Sequence, residues 1–165
     1  MKQWTLACLA GVALLAACSS DKGSGNATTA ASGSGTGAGA GGAGQGAPGS
    51  EENLVQSAGD RIFFETNSSK LNPQAQATLD RQAGWLRQYP QVNVWVAGNC
   101  DERGTEEYNL ALGQRRANAD RDYLVAHAIA QDRIETISYG KSRPIDPAST
   151  PEAWTQNRNA ITSVK

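Results

Sequence analysis

Asp101 and Arg116 stand fifteen positions apart in the run GNCDERGTEEYNLALGQRR, which extends from Gly98 to Arg116. A carboxylate at the end of a strand and a guanidinium on the following helix, facing one cleft, can hold a zwitterion. The aspartate accepts from an ammonium while the arginine forks onto a carboxylate. At roughly 100° per residue, Tyr108, Leu112, Arg116, Asp120 and Leu124 form a single helical stripe with Arg116 at its centre. An arginine in a partly apolar stripe needs an acidic or carbonyl partner, because an unpaired buried charge is very costly. The alternative is structural: Arg116 pairs with Asp120 on its own helix or with Asp101 as a plain salt bridge.

The elements that must position these groups are legible around them. In Gln91–Ala97, Val92, Val94 and Val96 alternate with Asn93, Trp95 and Ala97, the period of a two-faced strand. Gly98 and Gly104 bracket a charged loop, as expected where the backbone turns sharply. Thr105 is placed to cap a long helix, with Glu106 and Glu107 in its first turn. Upstream, Glu51–Gly59 suits a short helix, Arg61-Ile62-Phe63-Phe64 a strand, and Glu65–Ser69 a polar turn. Asn72-Pro73 starts a second helix that turns Ala75, Leu79, Ala83 and Leu86 inward and stops before Pro90. Downstream come a strand over Arg133–Tyr139, a proline-rich loop from Gly140 to Pro151 and a helical turn around Glu152–Thr155 that sets Trp154 as a lid on the core. A last strand over Asn159–Val164 closes the sheet. The expected fold is α+β, a β-α-β-α-β-β sandwich with helices on one face of a small mixed sheet over residues 51–165.

The first fifty residues are of another kind. Lys2 and the apolar Leu6–Ala17 have the pattern of a signal peptide over residues 1–17, too short to span a membrane. Leu15-Ala16-Ala17-Cys18 resembles a bacterial lipobox, which implies cleavage before Cys18, a diacylglycerol thioether and a third acyl chain on its amine; two or three chains anchor stably. Ser19 after the cysteine resembles the outer-membrane sorting pattern. Residues 18–50 are nearly all Gly, Ala, Ser and Thr, a flexible tether spanning about 30 Å on average and roughly 100 Å when extended. With Cys8 and Cys18 so used, Cys100 stands alone, so the domain has no disulfide to form. One histidine and no paired cysteines call for no metal, and no cofactor motif is present. A net charge of −1 gives nucleic-acid binding little support.

The run G-N-C-D-E-R-G-T-x-x-Y-N-x-x-L-G-x-R-R-A-N resembles the peptidoglycan-binding signature of the OmpA-like family, and most closely its lipid-anchored, peptidoglycan-associated members. The resemblance covers the chain from about Asp60 onward. It implies that Asp101, Asn109 and Arg116 hold the side-chain amine and carboxylate of meso-diaminopimelate in uncrosslinked stem peptides. The segment Phe64-Glu65-Thr66-Asn67 resembles the family's F-D-x-N stretch, which implies that Phe64, Glu65, Thr66 and Asn67 line the same cleft. It also implies TolB and other Tol proteins as partners, membership of the Tol–Pal system, a role in envelope integrity and division, and an outer-membrane position facing the periplasm. The sequence departs from the family at Asn99 and Cys100, where a histidine and a Thr or Ala are usual. It departs again at Asp120, a commonly apolar position that could pair with Arg116, and at Asn159, where one arginine of N-R-R is missing.

The same residues admit two other readings. A peptidoglycan hydrolase could draw a carboxylate pair from Asp101, Glu102, Glu106 and Glu107, but neighbouring arginines and a helix start favour the ionised form, the opposite of a general acid. A stator or porin relative would need a transmembrane helix or a barrel's worth of strands, and the sequence offers neither.

Overall fold

The structure is a computed structural model that describes residues 46–165; the signal-like segment, Cys18 and most of the expected tether lie outside the described residues. Ser50 opens the first helix, α1 (Glu51–Ser57), by accepting from the Asn53 amide. Then follow β1 (Arg61–Phe63), α2 (Pro73–Gln88), β2 (Val94–Asn99), α3 (Glu106–Ala126), β3 (Ile134–Gly140), α4 (Pro151–Asn157) and β4 (Asn159–Val164). The four strands lie in the order β1-β4-β2-β3, with β2 and β3 parallel and the other pairs antiparallel. The mixed sheet and the α+β class are as the sequence predicts. Among the described residues no helix is long and apolar enough to cross a membrane.

One face of the sheet carries the core. Val94 and Val96 are fully buried, while Trp95 between them is 38% exposed on the open face. The α2 stripe of Ala75, Leu79, Ala83 and Leu86 turns inward as its spacing requires, and meets Ile62, Leu54 and Leu124. Asn72 and Thr105 cap α2 and α3 through their side chains, onto the Ala75 and Tyr108 amides.

Three local expectations change. The central strand is Val94–Asn99 rather than Gln91–Ala97. Val92 is buried, but its amide closes a turn onto Tyr89, and pairing with β3 and β4 carries the strand on through Gly98. Gly98 is therefore not a loop end. A Cβ there would lie 1.9 Å from the Gly113 carbonyl oxygen, so the glycine exists to let α3 cross β2 at backbone distance. Gly104 does make the sharp turn, with φ +91°. Trp154 is no lid on the core: its indole donates to the Glu102 carboxylate at 3.0 Å, and the Arg103 guanidinium lies 4.3 Å over its ring.

The cleft at the end of the central strand

Where β2 ends, the chain turns through Asp101–Gly104 into α3, and the loop after β1 closes over it. Between them lies an open cavity of about 300 Å³ lined by Thr66, Asn67, Asp101, Arg103, Gly104 and Tyr108. A recess of only about 10 Å³ shares Asn67, Asp101 and Arg103 with it and is walled by Asn109, Arg116 and Arg158. A further cavity of about 250 Å³ sits on the open sheet face around Trp95, Ile137 and Tyr139, none of its lining residues acidic.

Arg116 is fully buried at the centre of this arrangement. Its partners are carbonyls. Nε donates to Ser68 O at 2.9 Å, Nη1 to Asn99 O at 2.7 Å, and Nη2 to Glu65 O at 3.1 Å. The Phe64 ring lies 5.1 Å from its Cζ. Among the described residues Arg116 forms no ion pair with any carboxylate, so both structural pairings open in the sequence, with Asp120 and with Asp101, are absent. The guanidinium is the knot that ties the loop after β1 to the end of β2. Burial pulls its pKa below the usual arginine value.

Asp101, 7% exposed, is met by other arginines. Oδ1 accepts from the Arg103 amide at 3.1 Å and from Arg103 Nε at 3.0 Å. Oδ2 accepts from Arg103 Nη2 at 2.7 Å and from Arg158 Nη1 at 3.5 Å. Burial alone would raise its pKa, but the Arg103 hydrogen bonds outweigh it and hold the carboxyl below the ordinary value. Arg158, itself buried, is held by Phe64 O and the Thr155 hydroxyl.

The remaining expected residues divide between lining and scaffolding. Thr66 and Asn67 are exposed in the cavity wall, and Asn67 takes a left-handed φ of 54°, which asparagine tolerates well. Phe64 is buried beneath them, and the Glu65 side chain points to solvent while its carbonyl holds Arg116. Asn109 is 2% exposed and spends its amide on Arg103 O and Thr105 O, pinning the loop. Tyr108, Arg103 and Arg158 border the cleft without having been singled out from sequence. Arg103 had a visible signal, an arginine two residues after an aspartate in a loop; Arg158 reaches Asp101 only through the fold.

Two departures from the family pattern meet. The side chain of Asn99 donates to that of Asn159 at 2.8 Å across the β2–β4 pair, both residues buried. Cys100 is buried against Arg116 and the Asn109 carbonyl, and burial raises its thiol pKa. Asp120 is fully buried and neither of its oxygens has a partner among the described residues. Burial lifts its pKa to about 8, so it is a neutral acid at pH 7 rather than a rival for Arg116. Among the described residues no cluster of acidic, histidine or cysteine side chains could hold a metal.

The chain has known relatives. The OmpA family model matches residues 63–158. A peptidoglycan-associated lipoprotein of Mesorhizobium japonicum is 53% identical over 117 residues, 71% of this chain and 70% of that protein. One from Rhizobium meliloti is 52% identical over 115 residues, 70% of this chain and 65% of its own length. The chain thus spans about two thirds of the curated relatives it matches. The crystal structure of the peptidoglycan-associated lipoprotein from Burkholderia pseudomallei superposes with a TM-score of 0.63 at 38% identity, over 64% of this chain and 90% of that one. The C-terminal domain of Helicobacter pylori MotB, at 22% identity and a TM-score of 0.60 over 64% of this chain and 84% of that one, shares the fold. On these matches the chain belongs to the OmpA family and, within it, to the peptidoglycan-associated lipoproteins.

Proposed function

We propose that this domain is a non-catalytic grip for peptidoglycan that takes the diaminopimelate side chain of a stem peptide into the cleft at the end of β2. The observation that carries this is a buried carboxylate, Asp101, lining an open cavity and, behind it, a small recess walled by a buried guanidinium without a carboxylate of its own, Arg116. Asp101 takes the ammonium. Arg116 supplies the positive charge for the ligand carboxylate and, through Glu65, Ser68 and Asn99, the shape of the cleft; Thr66, Asn67 and Asn109 complete it. Anchored by lipid on Cys18, the domain faces the periplasm from the outer membrane and ties that membrane to the wall, with TolB and the other Tol proteins as partners in envelope integrity and division. These last assignments rest on the family resemblance.

The hydrolase reading finds no support in the acids present. Asp101 and Glu102 are both held below the ordinary carboxylate range, Glu102 by hydrogen bonds from Ser149 and Trp154. The acid with a raised pKa, Asp120, is sealed in the core.

Co-sedimentation with purified sacculi tests the grip. The chain is expected to pellet with diaminopimelate-type sacculi, and Asp101→Asn to lose about 2–5 kcal/mol, enough to leave it in solution. Equal pelleting of a folded Asp101→Asn variant would place binding elsewhere.

A further inference from the structure

The acceptor capacity of Asp101 is full. A carboxylate offers about four lone-pair sites, and Asp101 receives four donors: the Arg103 amide, Arg103 Nε, Arg103 Nη2 and Arg158 Nη1. No site remains for a ligand ammonium, so one donor must leave when it arrives. The four are not equally held. The Arg103 amide belongs to the loop backbone, whose next carbonyl is pinned by Asn109. Arg158 is buried and also bonded to Phe64 O and Thr155. The Arg103 side chain is 43% exposed and lines the open cavity, with no partner among the described residues besides Asp101 and the face of Trp154.

We propose that the Arg103 side chain is a built-in cap on the binding site: it occupies Asp101 in the free protein and is displaced by the ligand's ammonium. This deepens the peptidoglycan reading and rests on it. Arg103 is thereby a specificity residue. A group binds Asp101 only if it outcompetes a two-pronged guanidinium, which a primary ammonium with a second anchoring point can do and a lone amine or a neutral amide cannot. Trp154 holds the cap in register through its face, and the hydrogen bond from its indole to Glu102 fixes the ring. In the empty site Asp101 thus has two counter-ions, the exposed Arg103 side chain and the buried Arg158.

The test is calorimetric titration of the full chain in detergent with the soluble tripeptide L-alanyl-D-glutamyl-meso-diaminopimelate, run beside tryptophan emission. Arg103→Gln, which removes the competing fork, is expected to bind the tripeptide roughly threefold more tightly, the scale of losing one solvent-exposed ion pair. Arg103→Lys falls between it and the wild type. Binding to the wild type shifts tryptophan emission as the guanidinium leaves Trp154, and the shift is missing in Arg103→Gln. Tripeptide affinity in Arg103→Gln equal to or weaker than wild type overturns the cap, as does wild-type binding with silent emission. In either case wild-type pelleting with sacculi leaves the peptidoglycan reading standing. Loss of both pelleting and tripeptide binding in wild type and Arg103→Gln alike removes that reading and the cap with it.

Discussion

Two ionisable side chains on the same stripe of α3 are buried completely, and they survive by opposite means. Arg116 stays charged because three carbonyls and a sulfur surround it. Asp120, one turn on, has no donor at all among the described residues and stays neutral, its pKa lifted to about 8 by burial. This has a consequence for stability against pH. The unfolded chain ionises this carboxyl near 3.8 and the folded one near 8, so the native state binds more protons between those values. The contribution of Asp120 is full below pH 4, declines as pH rises, and is gone above about 8. Asp120→Asn keeps the shape and removes the titration. The variant is expected to gain on the order of several kcal/mol over wild type at pH 8 and to gain little at pH 4, read from thermal unfolding across that range. A wild type and variant with parallel pH profiles would show that Asp120 ionises freely in the native state. The position of Asp120 on the inner stripe was legible from helical spacing. Its lack of a partner was not, because the distance to Arg116 depends on which carbonyls that arginine is drawn toward.

At the scale of elements, the site depends on one crossing. Gly98 on β2 and Gly113 on α3 approach so closely that a Cβ on either would meet the other's backbone, at 1.9 Å from the Gly113 oxygen and 2.8 Å from the Gly98 oxygen. Arg116 lies one turn beyond Gly113, so the same crossing that sets α3 on the sheet lowers the guanidinium onto the Asn99 carbonyl. Backbone cannot move aside as a flexible side chain can, and Gly98→Ala is expected to cost about 3 kcal/mol or more, at the upper end of overpacking penalties. It should also loosen the cleft, visible as a lowered melting temperature together with weakened sacculus binding. A Gly98→Ala variant with an unchanged melting temperature would mean that the helix can lift without loss. The sequence marked Gly98 and Gly104 as punctuation, and for Gly104 the positive φ makes that correct. For Gly98 it is wrong for a physical reason: a glycine demanded by a neighbour three-dimensionally adjacent looks the same in sequence as one demanded by its own dihedrals.

At the scale of the molecule, a shallow and partly self-occupied cleft implies a modest affinity per domain, which suits a protein that would act in many anchored copies on a repeating polymer. Linked copies convert later binding events into local ones and raise overall avidity by a factor of about 10²–10⁴. With Cys18 acylated as proposed, lipid vesicles carrying the full chain are expected to bind sacculi at least roughly a hundredfold more tightly per site than the detergent-solubilised chain. Equal affinities in the two forms would assign the attachment to single domains and leave the tether no role in it.

Much of this protein was determined along the chain itself: the α+β class, the capped starts of α2 and α3 and the buried stripes. These follow from periodicity, capping chemistry and a long local motif, each of which acts between residues near in sequence. The tertiary structure alone decided who partners whom. Arg116 took three carbonyls from two separated segments rather than a carboxylate, Asp101 took Arg158 from across 57 positions, and Asn99 found Asn159 across 60. Charge pairing between distant segments is settled by where the backbone places each group and what else is within reach. One residue's chemistry can state that a partner is needed, but only the packed elements can say which one it gets.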